Sequence, residues 1–104
     1  MKKIHQEAIY LALSTIPSGR VIAYGQLAKL AGLTNGARQV GKLLCNLPEL
    51  STLPWHRVVN ALGKISLPQD SIAYREQQQR LIAEGIEFKN GKINLSIYGY
   101  NNPT

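Results

Sequence analysis

Residues 25–46, GQLAKLAGLTNGARQVGKLLCN, hold two short apolar-periodic segments on either side of a glycine-bounded turn, and few folds accommodate that arrangement. In the first segment Leu27, Leu30 and Ala31 recur at helical spacing before Gly32, a residue type that ends helices by taking the left-handed conformation. Thr34 and Asn35 follow, both good N-caps for a second helix over 36–46. Two short helices joined by a tight turn containing glycine are the helix-turn-helix pattern, whose second helix enters a DNA groove. On that second helix Val40, Leu43, Leu44 and Leu47 share one face, and Arg38, Gly41, Lys42 and Cys45 the other, so the outward face is basic and small. Gly41 costs a helix roughly 1 kcal/mol relative to alanine, which either close approach of a phosphate or close helix packing would explain.

The remaining segments read as a frame around this unit. Apolar Ile4, Ala8, Leu11, Ala12 and Ile16 predict a first helix over about 2–16, stopped by Pro17-Ser18-Gly19. Residues 20–24 form a short β-prone run, and 47–53 read as loop. A further long helix is expected over about 70–84, capped by Asp70, with Ile72, Tyr74, Leu81 and Ile82 turned inward and Gly85 at its end. Asn90-Gly91 between two β-prone runs is the strongest hairpin signal in the chain. The expected fold is mainly α with a small β-hairpin, a winged-helix-like helix-turn-helix domain. Its 104 residues suffice for one modest core, so 1–104 is expected to be a single domain whose order fades after about residue 98.

Twelve Lys and Arg against six Asp and Glu leave a net charge of +6. Residues 1–64 carry eight basic and two acidic side chains and residues 65–104 four of each, so the whole excess coincides with the helix-turn-helix half. That asymmetry suits a polyanion. Without a basic amphipathic helix of the membrane-surface type, nucleic acid fits better than lipid, the bland alternative being a solubilising surface. No apolar run approaches the ~20 residues of a membrane span and no secretory apolar stretch opens the chain, so a cytoplasmic location is expected, nucleoid-associated in a bacterium. One cysteine and two histidines provide neither an internal disulfide nor a zinc set, and no metal or cofactor is expected. With no dimerisation element evident, a monomer is expected.

The stretch LPWHRVV at 53–59 sets a large aromatic directly before a histidine and an arginine. Together with GRVIAYGQLAKLAG, ARQVGKLL, PWHRVVNALGKIS and LIAEGIEF, in that order and at nearly the same spacings, it resembles the DNA-binding domain of the O6-alkylguanine-DNA alkyltransferases from about residue 5 to residue 88. The resemblance implies a domain of the alkyltransferase C-terminal type. In the transferases the residue between proline and HRV is the cysteine that accepts the alkyl group; here it is Trp55, as in the alkyltransferase-like proteins, which bind the same damaged DNA without repairing it directly. A thiolate can attack an alkyl carbon, whereas an indole offers only an N–H donor and a π-face. Trp55 can therefore stack on a base or its substituent but cannot accept a methyl group by that route.

Other positions carry over from the family individually. Arg38 matches the arginine finger that fills the space left by a flipped-out nucleotide, a task suited to a planar, permanently charged guanidinium. Tyr24 matches the tyrosine that presses on the phosphate of the rotated nucleotide, its alternative being core filler beside a helix start. His56 and Glu84 match the pair that activates the transferase cysteine through water, and here they are expected to persist as a buried hydrogen-bonded pair. Arg57 is either structural or phosphate-facing. Two departures accompany these matches: Leu47-Pro48 stands where the family has Asn-Pro, with Asn46 one residue early, and the loop SLPQDS at 66–71 does not align with the family's pocket lip. Only the first helix precedes the matching blocks, where transferases commonly carry a further domain.

The resemblance implies non-enzymatic recognition of O6-alkylguanine in duplex DNA by nucleotide flipping, marking damage for repair, with nucleotide excision repair proteins as the analogous partners. Two alternatives belong to other classes. An active O6-alkylguanine-DNA methyltransferase would need Cys45 as nucleophile, although no histidine adjoins it in sequence; a helix-turn-helix transcription regulator would ordinarily read two half-sites as a dimer.

Overall fold

The computed structural model describes residues 3–48 and 51–100. Its elements run α1 (Lys3–Ser14), β1 (Ile22–Ala23), α2 (Tyr24–Leu30), α3 (Ala37–Cys45), a 3-10 turn (Trp55–Arg57), β2 (Val58–Val59), α4 (Ile72–Ala83), β3 (Phe88–Lys89), β4 (Lys92–Ile93) and α5 (Leu95–Tyr98). The mainly helical class and the hairpin agree with expectation.

The helix pair forms as its glycines dictate. Leu33 N–H bonds to Ala28 O at 2.8 Å and Gly32 N–H to Lys29 O at 2.9 Å, with Gly32 at φ +85°, which is a Schellman end to α2. Neither Thr34 nor Asn35 caps α3, however: Gly36 holds the cap position with no side-chain bond, and Asn35 takes a positive φ of 54°. Sterics explain the correction. A Cβ on Gly36 would lie 2.9 Å from the Ala28 Cβ and 3.0 Å from the Leu33 Cβ, so the approach of α3 to α2 excludes any capping side chain there.

α1 buries Ile9, Ala12, Leu13 and the following Ile16, whereas Ile4 and Leu11 are 68% and 70% exposed. The expected stripe was thus rotated. α1 has apolar residues on two overlapping stripes, and the buried one, Ile9, Ala12, Leu13 and Ile16, is the unbroken i, i+3, i+4, i+7 face.

α4 departs further. Its cap is Ser71, whose Oγ accepts from Tyr74 N–H at 3.1 Å, not Asp70. Leu81 is buried as expected, but Ile72 is 86% and Ile82 54% exposed, and the second buried residue is the polar Gln77. Gln77 Nε2 donates to His56 O at 3.1 Å and to Val58 O at 2.9 Å, satisfying its amide inside the core.

β1 and β2 pair in parallel, Ile22 with Val58 and Ala23 with Val59. Because β1 runs directly into α2 at Tyr24 and β2 follows directly on the Trp55–Arg57 turn, this short ladder fixes the start of the helix-turn-helix beside that turn. Asn90 and Gly91, at φ 53° and 74°, make the hairpin turn between β3 and β4. Backbone bonds continue through Tyr100. Val21 N–H bonds to Tyr98 O, Tyr100 N–H bonds to Val21 O at 2.7 Å, and the Gln26 amide reaches Tyr100 O; residues 101–104, where the rest of the expected tail falls, lie outside the described residues. Two apolar clusters result, one joining α1, α2, α3 and Val58, the other Val21, Val59, Leu81, Ile86 and Ile93.

Candidate nucleic-acid interface

α3 leaves Arg38 and Lys42 exposed while Val40 and Leu43 point into the core, as its periodicity requires. Beside it opens a cleft of about 540 Å³. Its walls are Gly41, Leu44 and Cys45 of α3, Tyr24 at the start of α2, Leu47, Pro48 and Ser51 of the following loop, Trp55, Leu67, and the α4 face formed by Ala73, Glu76, Gln77 and Arg80. Of the residues singled out in the sequence, Tyr24, Gly41 and Trp55 therefore meet in one cavity. Arg38 and Lys42 do not line it and sit on the solvent side of α3.

Trp55 is half-buried, with its ring edge-on to the His56 ring at 88° and a centroid separation of 6.2 Å. The guanidinium carbon of Arg80 lies 5.4 Å from the indole centroid, a cation–π arrangement. Tyr24 has its hydroxyl pKa raised, chiefly by burial; a hydrogen bond with Ser66 opposes the rise and the neighbouring Cys45 adds to it. The phenol is thus a neutral donor at the cavity wall, suited to an anionic oxygen.

Behind Trp55 the expected pair is present and larger than expected. His56 Nε2 lies 2.7 Å from Glu84 Oε2, a direct hydrogen bond. Arg57 donates from Nε to both Glu84 oxygens at 3.1 Å, from Nη2 to Oε2 at 2.7 Å and from Nη1 to Ile16 O at 2.8 Å, while Gly19 N–H donates to Oε1 at 3.0 Å. The Arg57 guanidinium is therefore turned inward, toward Glu84 and Ile16 O. Burial pushes the Glu84 pKa up, but the bonds from Arg57, His56 and Gly19 outweigh it and hold the carboxyl at about 2. Burial lowers the His56 pKa, against the Glu84 contact that raises it, so the ring is neutral near pH 7 and donates Nε2–H to Glu84. Its Nδ1 is buried without a partner among the described residues. Near pH 7 this group can hold a geometry.

The Asn46 side-chain amide donates to Lys42 O at 2.8 Å at the end of α3. Glu76, Gln77 and Arg80 were missed because apolar periodicity ignores polar residues, although the 73, 76, 77, 80 spacing does mark one helix face. Cys45 lies in the cavity wall as an exposed free thiol, ten residues from Trp55 in sequence but sharing its cleft. Among the described residues no cluster of His, Cys, Asp and Glu could hold a metal, and no helix is long and apolar enough to cross a membrane.

Comparison with known proteins converges on one family. The family model described as 6-O-methylguanine DNA methyltransferase, DNA binding domain, matches residues 5–86. The chain is 47% identical over 96 residues to the DNA base-flipping protein of Escherichia coli, covering 91% of this chain and 73% of that protein. It is 38% identical over 95 residues to Alkyltransferase-like protein 1 of Schizosaccharomyces pombe, covering 91% and 86%. The crystal structure of S. pombe Atl1 in complex with damaged DNA containing O6-carboxymethylguanine superposes with a TM-score of 0.89 at 34% identity, covering 98% of this chain and 99% of that one. Sequence and fold thus agree, and the chain belongs to the family of the 6-O-methylguanine DNA methyltransferase DNA-binding domain, among its alkyltransferase-like members.

Proposed function

We propose that this protein binds duplex DNA through α3, rotates an O6-alkylated guanine out of the stack into the cleft beside Trp55, and holds it there without transferring the alkyl group. The observation that carries the reading is the wall of that cleft: Trp55, which by resemblance takes the position of the transferases' nucleophile, presents an aromatic plane there, backed by His56, Arg57 and Glu84. A volume of about 540 Å³ accommodates a base with its substituent.

Each remaining residue has a role in this reading. Arg38, exposed on α3, enters the duplex and fills the vacated stack; Lys42 neutralises a phosphate nearby; Gly41 admits the backbone closely; and Tyr24 donates to the phosphate of the rotated nucleotide. Flipping costs a few kcal/mol, less for a base that pairs poorly, and stacking at about 1–3 kcal/mol per base offsets it. Lesion preference then comes from weak pairing as well as from cleft contacts. The protein acts as a monomer in the cytoplasm, and the occupied lesion marks the site for other repair proteins, nucleotide excision repair being the pathway that family analogy suggests.

The test is binding to duplexes differing at one guanine, O6-methylated or unmodified, with the intact mass of the protein recorded after incubation. Tighter binding to the modified duplex with no change in mass is expected. Equal binding would point to a sequence reader of the regulator class, and a gain of one methyl group, carried by Cys45 in the cleft wall, would make the protein a transferase.

A further inference from the structure

We propose that Lys64, Lys89 and Lys92 form a second contact with the phosphate backbone of the bound duplex, on the arm that runs past the β3–β4 hairpin; the inference rests on the lesion-flipping reading. Lys89 and Lys92 are register partners across the hairpin, so their side chains leave the same face, while the neighbouring pair, Phe88 and Ile93, turns toward the second apolar cluster. Lys64 joins them through a close backbone approach. Ile93 N–H bonds to Gly63 O at 2.8 Å, and a Cβ on Gly63 would lie 2.3 Å from Ile93 O, so the 60–64 turn is seated directly on β4. The Asn60 side chain sets that turn, its Oδ1 accepting from Leu62 N–H at 2.9 Å and from Lys64 N–H at 3.0 Å.

All three lysines are exposed, and the ion pairs among the described residues, His56–Glu84, Arg57–Glu84 and Arg80–Glu76, leave them out. Glu87 is the one acidic residue in the sequence after Glu84. Like charges set directly opposite each other weaken an antiparallel pair, a cost that an anion lying across them removes. The patch also adjoins the cleft. β2 follows directly on the Trp55–Arg57 turn and leads into the 60–64 turn, and Leu67, three residues past Lys64, is again in the cleft wall. Three residues span at most about 10 Å, the rise of about three base pairs. A duplex seated over the cleft thus carries its backbone past Lys64 within a few base pairs of the rotated nucleotide.

The probes are duplexes with one central O6-methylguanine or guanine, read by fluorescence anisotropy across a salt series. The double variant Lys89→Gln, Lys92→Gln should lower the log–log salt slope by about 1.8, and Lys64→Gln by about 0.9 more, at about 0.9 for each phosphate neutralised. Both duplexes should lose affinity by the same factor, because backbone contacts carry no base information, so the lesion preference is kept. The double variant should melt no lower than wild type, since it relieves the opposed charges. Neutral methylphosphonate linkages about three to six base pairs from the lesion should weaken wild type more than the double variant on one arm and both equally on the other. Lys3→Gln, on α1, controls for net charge and should move the slope little. A double variant with the wild-type slope, as when the patch serves an acidic protein surface instead, or a slope loss per lysine matched by Lys3→Gln, overturns the inference and leaves lesion recognition standing. Wild type with no preference for the modified duplex overturns lesion recognition itself, and the inference with it.

Discussion

Arg57 holds the Glu84 carboxylate in a fork, with Nε 3.1 Å from both oxygens and Nη2 2.7 Å from Oε2, and so ties the Trp55–Arg57 turn to the end of α4. The same carboxylate accepts from Gly19, and Arg57 also reaches Ile16 O, so one side-chain pair joins three segments. Arg57→Ala should destabilise the fold by about 2–4 kcal/mol in urea denaturation, because it leaves a largely buried carboxylate without its main cation. A stability loss below ~0.5 kcal/mol together with weakened DNA binding would instead make Arg57 a phosphate contact.

Acid should destabilise the protein in two stages. His56 has a folded pKa below its usual 6.5, so the unfolded chain takes up a proton that the folded one refuses, and stability begins to fall below about pH 6.5. Glu84 has its pKa depressed from 4.5 to about 2, so its contribution is fully present above about pH 5 and is lost as pH falls toward 2. Urea midpoints measured from pH 7 to pH 2 should therefore fall throughout. Glu84→Gln should flatten the limb between pH 5 and 2, and an unchanged slope there would remove Glu84 as its source.

Gly41→Ala separates stability from binding. An added Cβ would meet the Tyr24 ring at 3.9 and 4.0 Å, ordinary contact distances, so the free protein should gain about 0.5–1 kcal/mol from the better helix former. Affinity for duplex DNA should nevertheless fall by about tenfold, ~1.4 kcal/mol, if a phosphate or backbone approaches that surface. Unchanged affinity would assign Gly41 to no role in binding.

Arg38 and Lys29 are both exposed cations, but only Arg38 lies on α3. Arg38→Ala should weaken lesion binding by about 1–3 kcal/mol through the lost stacking plug, whereas Lys29→Ala should at most reduce the salt dependence by about 0.9 in log–log slope. Fluorescence anisotropy at several salt concentrations distinguishes the two, and equal losses would count against the finger role.

Trp55→Ala should lower the preference for O6-methylguanine over guanine by about 1–3 kcal/mol and spare non-specific affinity, with little effect on stability because the ring is only half-buried. Full retention of preference would remove Trp55 from the lesion contact. Trp55→Cys should transfer little or no alkyl group to the new thiol, since Leu47-Pro48 and the 66–71 loop depart from the transferase pattern and nucleophile geometry tolerates small errors poorly.

The legible part of the site was the part carried by single residues of unusual chemistry. Tyr24, Trp55, His56 and Glu84 stood out because their types match a family pattern, and the fold places Tyr24 and Trp55 in the wall of one cleft. The α4 wall was not legible. Glu76 and Arg80 read as an ordinary solvated helix pair, and only the packing of α4 against the Trp55 turn brings Arg80 over the indole. Gln77 was hidden for a related reason: its burial depends on two carbonyls, of His56 and Val58, some twenty residues away.

The sequence alone determined the helix-turn-helix, the hairpin and the basic half of the molecule, because helix period, the left-handed preference of Gly32 and Gly91, and charge are properties of a residue and its near neighbours. Only the tertiary structure decided which stripe of α1 is buried, that Ser71 rather than Asp70 caps α4, and that Ile22-Ala23 pairs in parallel with Val58-Val59. Those outcomes depend on which surfaces meet across the fold. The same holds for the Arg57–Glu84 fork and for the cleft, whose walls come from segments up to 56 residues apart, from Tyr24 to Arg80 (80 − 24). Burial and ion pairing at such separations are set by the whole packed core, which no local pattern encodes.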